Sequence, residues 1–132
     1  MEDLSDDLLW RHLKDLPAFR ALLRAVEARL YQDLLPLRDP VLDVGCGDGH
    51  FASVAFPASL AAGIDPAPDA LAEARARGAY QVLARSLGGA LPFPDESFAT
   101  VISNSVLEHI PDLDPVLVEI ARVLQAGGRF IF

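Results

Sequence analysis

Two carboxylates and three glycines have the types and spacing of a ligand site. Residues 41–50 read VLDVGCGDGH: Asp43 interrupts an apolar run, and Gly45, Gly47 and Gly49 follow at every second position. Glycine costs more backbone entropy than any other residue, so the cluster needs a reason. A helix that starts just past a strand directs free N–H groups and the positive end of its dipole across the strand's end. A ligand reaches them closely where side chains are absent. The dinucleotide pattern G-x-G-x-x-G places its third glycine one residue later than D-x-G-x-G-x-G does here. A carboxylate at the strand tip would repel a pyrophosphate and suits a ligand carrying an ammonium group. The plainer alternative is a glycine-rich turn. Asp65 ends the next apolar run, about twenty residues past the first glycine, where an acid accepts ribose hydroxyls. It also stands where it can cap a helix opened by Asp65-Pro66-Ala67, and the two roles are compatible.

Other reactive side chains are sparse. Cys46 is the only cysteine, which excludes an internal disulfide and a cysteine zinc cluster. It lies between Gly45 and Gly47 and reads as a packing residue, not a nucleophile. His12 and His50 have no partners at metal-ligand spacing, so no metal site is expected. Trp10 reads as a core or lid contact, with cover of a substrate cleft as the alternative.

The elements that must position these residues follow from periodicity. Residues 4–16 and 17–35 read as two helices parted by Pro17, with Ser5, Asp6 and Asp7 at the first start. The second carries Phe19, Leu22, Leu23, Val26 and Leu30 as its expected buried stripe, with Arg20, Arg24, Glu27 and Asp33 opposite. From residue 40, short apolar runs alternate with helical patterns, the signature of βαβ units. VLDV, SLAAGID, AYQVLA, FATVISN and RFIF read as five strands. GHFASVAF, APDALAEARARG and DPVLVEIARVL read as the intervening helices, with Asp114 expected as an N-cap and Gly127-Gly128 as a helix stop.

Composition narrows the class. The 132 residues are 52% hydrophobic and 23% charged, as expected of one globular chain. A formal net charge of -8 disfavours nucleic acid as substrate, because phosphate affinity comes from Lys and Arg. No apolar run approaches the ~20 residues that span a bilayer, and the acidic start MEDLSDDLLW is unlike a signal peptide. A cytoplasmic protein without membrane association is expected.

VLDVGCGDGHF, the acid in GIDPAPDAL, LPFPDESFATVISNSVLEHI, DPVLVEIARVL and AGGRFIF, in that order over residues 40–132, resemble the class I (Rossmann-like) S-adenosylmethionine-dependent methyltransferases of small-molecule type. The resemblance implies an α/β fold, a Rossmann-like parallel sheet with flanking helices. It divides the chain into an N-terminal helical cap, 1–36, and an S-adenosylmethionine-binding methyltransferase domain, 37–132. It also implies residue roles. Gly45, Gly47 and Gly49, with Cys46 among them, would line the methionine part of the cofactor, and Asp43 would face its amino group. Asp65 would hold the ribose, Pro66 would lie near the adenine, and Asn104 would offer backbone contacts. Glu108 and His109 fall near the expected methyl acceptor, where a His could take a proton from a hydroxyl or amine; the alternative is a turn whose side chains pack or cap. Alignment of donor and acceptor can supply much of the acceleration, so a dedicated base is not required.

The departures from the family pattern are specific. Leu87 stands where relatives carry an Asp that accepts from the adenine amino group, so apolar contact is expected instead. Ala99 replaces an acid in SFD, and Gln125-Ala126-Gly127-Gly128 replaces KPGG. The family's sheet continues past strand five, so a sheet truncated there is expected, with an exposed edge open to pairing with a second copy. The expected function is methyl transfer to a small-molecule nucleophile. The alternative is a non-catalytic or fragmentary S-adenosylmethionine-binding module completed by a partner. A nicotinamide-dependent oxidoreductase is a further rival, opposed by the glycine spacing and Asp43.

Overall fold

The computed structural model describes residues 7–132. The strands are β1 Val41–Val44, β2 Leu60–Asp65, β3 Tyr80–Arg85, β4 Phe98–Ile102 and β5 Leu124–Ile131. The helices are α1 Leu8–Leu13, α2 Ala18–Gln32, α3 His50–Ala55, α4 Pro68–Arg77 and α5 Asp114–Val123. One sheet holds all five strands in the order β3-β2-β1-β4-β5, and every pairing is parallel. This is the expected α/β, Rossmann-like architecture. Strand order reverses between β1 and β4, and open α/β sheets bind ligands outside the carboxyl ends of strands at that crevice.

Burial explains the strand sequences. All four residues of the central strand β1 are buried, Asp43 included. Val41 joins the core on one face, with residues of α2, α3 and α4. Leu42 and Val44 join the other, with Val116, Ile120 and Val123 of α5. Arg122 of α5 donates to the carbonyls of Leu91 and Phe93 and to the Asp95 carboxylate, which pins the LPFPDESF stretch before β4.

Several local expectations are corrected. The face of α2 is reversed: Ala21, Ala25, Ala28 and Tyr31 are buried, and Phe19, Leu22, Leu23, Val26 and Leu30 are exposed. Alanines at helical spacing let the backbone approach closely, which the bulky stripe would prevent. Helix α1 is shorter than expected and is capped by Asp7, whose carboxylate accepts from the Trp10 N–H at 2.8 Å; Ser5 and Asp6 lie outside the described residues. Helix α5 takes Leu113 as its N-cap, with Asp114 already in the first turn. Gly127-Gly128 does not stop that helix. Strand β5 begins directly at Leu124, and the glycines sit in a register shift that takes β5 from Phe98↔Leu124 to Thr100↔Arg129. Gly127 has φ +74° there.

Candidate functional site

The glycine loop is built by three separate demands. At Gly45 (φ +79°) an added Cβ would lie 2.5 Å from a Val106 methyl, so this glycine admits the side chain that follows β4. At Gly49 (φ +74°) an added Cβ would crowd Ala74 and the Tyr80 ring at 3.2–3.3 Å. Gly47 (φ +55°) differs, because an added Cβ there meets nothing within 4 Å. Gly47 lines a cavity of about 280 Å³, with Asp43, Gly45, Cys46, Asp65 and Asn104. Gly49 is not on that wall.

Five of the loop's N–H groups are engaged inside the protein. Those of Gly45 and Cys46 both donate to the Ile64 carbonyl, that of Gly49 to Cys46, and that of His50 to the Asp48 carboxylate. The Gly47 N–H donates to Asp65 Oδ2 at 2.9 Å, and the Ala67 N–H donates to Oδ1 at 2.9 Å. Asp65 therefore ties the loop to the start of α4 while facing the cavity. Asp65 is not the N-cap of α4: Ala67 holds that position with no side-chain cap, and Asp65 instead closes a local turn onto the Ala67 N–H while lining the cavity.

Asp43 is 5% exposed and accepts from the Tyr80 hydroxyl at 2.6 Å. Burial pushes its carboxyl up to about 7, against the Tyr80 hydrogen bond and with help from the Asp65 charge. Gly63, opposite Asp43 in β2, leaves room for the Tyr80 ring, since an added Cβ would fall 2.8 Å from it. Burial and the Asp43 charge push the Tyr80 hydroxyl up, so it stays a donor. Cys46 is buried, and burial with nearby acids raises its thiol, which keeps it unreactive, as its packing role requires.

A second cavity of about 210 Å³ shares Gly45, Asp65 and Val106 with the first as lining residues. Pro66, Leu87, Gly88 and Ile110 line it, and its wall is almost wholly apolar. Pro66 and Leu87, far apart in sequence, are thus brought to one slot. His109 is not: its side chain is 78% exposed, 3.8 Å from Glu108 and outside the cavity walls. Glu108 borders a third cavity, beside Asn104.

Sequence reasoning missed what the N-terminal helices bring. Arg20 and Arg24 of α2 enter the first cavity's wall. Arg24 pairs with Glu27 at 2.6 Å, and Glu27 accepts from Asn104 Nδ2 at 2.8 Å and Ser105 Oγ at 2.7 Å. Burial pushes the Glu27 carboxyl up, but these donors outweigh it and hold it below the ordinary range. An i,i+3 Arg–Glu pair looks like any solvated helix face, so no signal in the sequence singled it out. His12 and His50 meet with ring centroids 5.5 Å apart, and His50 Nε2 donates to Asp15 at 3.0 Å. Among the described residues no group of three His, Cys, Asp or Glu could hold a metal.

A family model, described as a methyltransferase domain, matches residues 42–132. The chain belongs to the class I S-adenosylmethionine-dependent methyltransferases. A methyltransferase of Schizosaccharomyces pombe described as uncharacterized is 37% identical over 100 residues, covering 70% of this chain and 38% of its own. The demethylmenaquinone methyltransferase of Tropheryma whipplei is 35% identical over 96 residues, covering 70% and 40%. A solved structure from Thermotoga maritima, described as a SAM-dependent methyltransferase, possible histamine N-methyltransferase, superposes with a TM-score of 0.72 at 25% identity, covering 83% of this chain and 50% of its own. The methyltransferase chain thus spans less than half the length of these curated relatives.

Proposed function

We propose that this methyltransferase chain binds S-adenosylmethionine across these two neighbouring cavities and serves transfer of its methyl group to a small-molecule nucleophile. The observation that carries the reading is that Asp65 lines both: a polar cavity with a buried carboxylate and two arginines, and an apolar slot. Both fit the cofactor's parts. Asp43 would take the ammonium and Arg20 or Arg24 the carboxylate of the methionine end. Asp65 would take the ribose, with the adenine against Pro66 and Leu87. The open face of Gly47 fits close approach by a ligand, because nothing in the protein fills it. When bound, the cofactor supplies an electrophilic methyl group on a sulfonium. The protein's part is to hold and orient, and no side chain on these walls has the placement of an obligatory base. Glu108 and His109 are not proposed as such a base: His109 lies in solvent.

A small organic acceptor is supported by the names of two relatives, which refer to demethylmenaquinone and histamine. The net charge of -8 supports a reaction away from nucleic acid. No described helix is long and apolar enough to cross a membrane. With the single buried cysteine, this supports a cytoplasmic setting. Residues 1–36 would act as the cap, since α2 supplies Arg20 and Arg24 to the cavity wall.

Calorimetric titration with S-adenosylhomocysteine tests the reading. The unaltered chain should bind, and Asp65→Ala should weaken binding about tenfold or more, the loss expected for one charged hydrogen-bonding group. No heat at millimolar ligand would overturn the cofactor assignment.

A further inference from the structure

The cavity beyond Asn104 is unclaimed by the cofactor reading. It measures about 420 Å³ and lies between the C-terminal half of α2 and the ends of β4 and β5. We propose that it seats the methyl acceptor, and that the acceptor is an apolar molecule whose hydroxyl or amine nucleophile is held by the Glu27 carboxylate. This rests on the cofactor site proposed above.

Position is the first support. The cavity shares Asn104 and Ser105 with the polar cofactor cavity, which sets the two side by side. The second is hydrogen-bonding capacity. A carboxylate offers about four lone-pair sites. Glu27 Oε2 accepts from Arg24 and Asn104, and Oε1 accepts from Ser105, which leaves one site on Oε1 for an incoming donor.

Ser105 adds a third. It is a non-glycine residue at φ +54°, and its hydroxyl is clasped between Arg24 and Glu27. Backbone strain of this kind persists where surrounding contacts over-determine it, and it clusters at ligand sites.

The walls set the substrate class. Leu30, Leu34 and Ile131 form an apolar side. Leu30 is 64% exposed, so core packing does not explain its type. Glu27 and Glu108 border the same space, and two carboxylates disfavour an acceptor with a carboxylate or phosphate head. An apolar body with a neutral or cationic hydrogen-donating head satisfies both.

Three probes with one alkyl chain separate these heads: 1-octylamine, 1-octanol and octanoate. Their affinities for the full chain are measured by ligand-observed NMR, with S-adenosylhomocysteine titrated into the same samples. Octylamine and octanol should bind about tenfold or more tightly than octanoate. Glu27→Gln should reduce the octylamine preference over octanoate about tenfold while octanol changes by about twofold or less. Leu34→Ser, at the half-exposed rim, should weaken all three alike, by about threefold, and serves if the Glu27 variant does not fold. Octanoate binding as well as octylamine, or an unchanged preference in Glu27→Gln, overturns this proposal alone if S-adenosylhomocysteine still binds. Failure of S-adenosylhomocysteine to bind overturns the cofactor reading and the acceptor assignment with it.

Discussion

Asp43 and Gly47 show how single residues divide between folding and binding. Asp43 is raised from 3.8 to about 7, because burial outweighs the Tyr80 hydrogen bond. Its folded form therefore holds a proton more tightly than the unfolded form, and stability from this group is lost as pH rises through about 7. Asp43→Asn should raise the melting temperature most above pH 7, with the gain shrinking toward pH 4, in a thermal-denaturation series. The same variant should lose S-adenosylhomocysteine binding, and the unaltered chain should bind it less tightly as pH falls through about 7, because an ammonium prefers the ionised carboxylate. The glycines separate the two roles differently. Gly45→Ala forces a methyl into Val106 and should cost about 3 kcal/mol by chemical denaturation. Gly47→Ala meets no protein atom and should cost only about 1 kcal/mol. Its larger effect should appear as weakened cofactor binding in the same titration.

At the scale of elements, α1 and α2 are what the cavity owes to the N-terminus. Helix α1 is held to α3 by His50–Asp15 and by the Arg11 donation to the Ser53 carbonyl. His12 is fully buried between them. Its Nδ1 donates to the Leu8 carbonyl at 2.7 Å, and its Nε2 has no partner among the described residues. Burial, with the nearby His50, Arg11 and Arg24, lowers its pKa below 6.5, against the Leu8 hydrogen bond. The unfolded chain then binds the extra proton first, so stability falls as pH drops below about 6.5. Hydrogen exchange should show α1 losing protection as pH falls below 6.5, before the sheet does. His12→Phe should remove that loss, because a phenyl ring suits the Phe51 and His50 neighbours and carries no proton. The strands and helices themselves were legible, since alternation and glycine punctuation act over a few residues. The buried face of α2 was not. Its alanine face and its leucine face have the same period, and the choice between them depends on how close α3 and the sheet must come.

For the whole molecule, the parallel sheet leaves the eight-residue β5 at an edge, paired only to β4. An unpaired edge of that length is a template for another strand. We propose that a second copy of this chain can pair there: sedimentation velocity would then show association as concentration rises, and Phe132→Lys, which places a charge beside that edge, would shift the equilibrium toward monomer. A concentration-independent monomer would remove the edge as an interface.

The sequence by itself determined the α/β order, the D-x-G-x-G-x-G loop, the acid that ends β2 and the family. Each is written in residue types within a dozen positions of one another, or in motifs that keep their order. The tertiary structure alone decided which groups meet. It set Tyr80 against Asp43 across 37 positions and joined Glu27 to Asn104 and Ser105 across 77 and 78. It also separated Gly47, where an added Cβ meets nothing within 4 Å, from Gly45 and Gly49, which the protein's own side chains require. Such pairings depend on sheet order and on which helix face is buried, and local propensity carries no term for either.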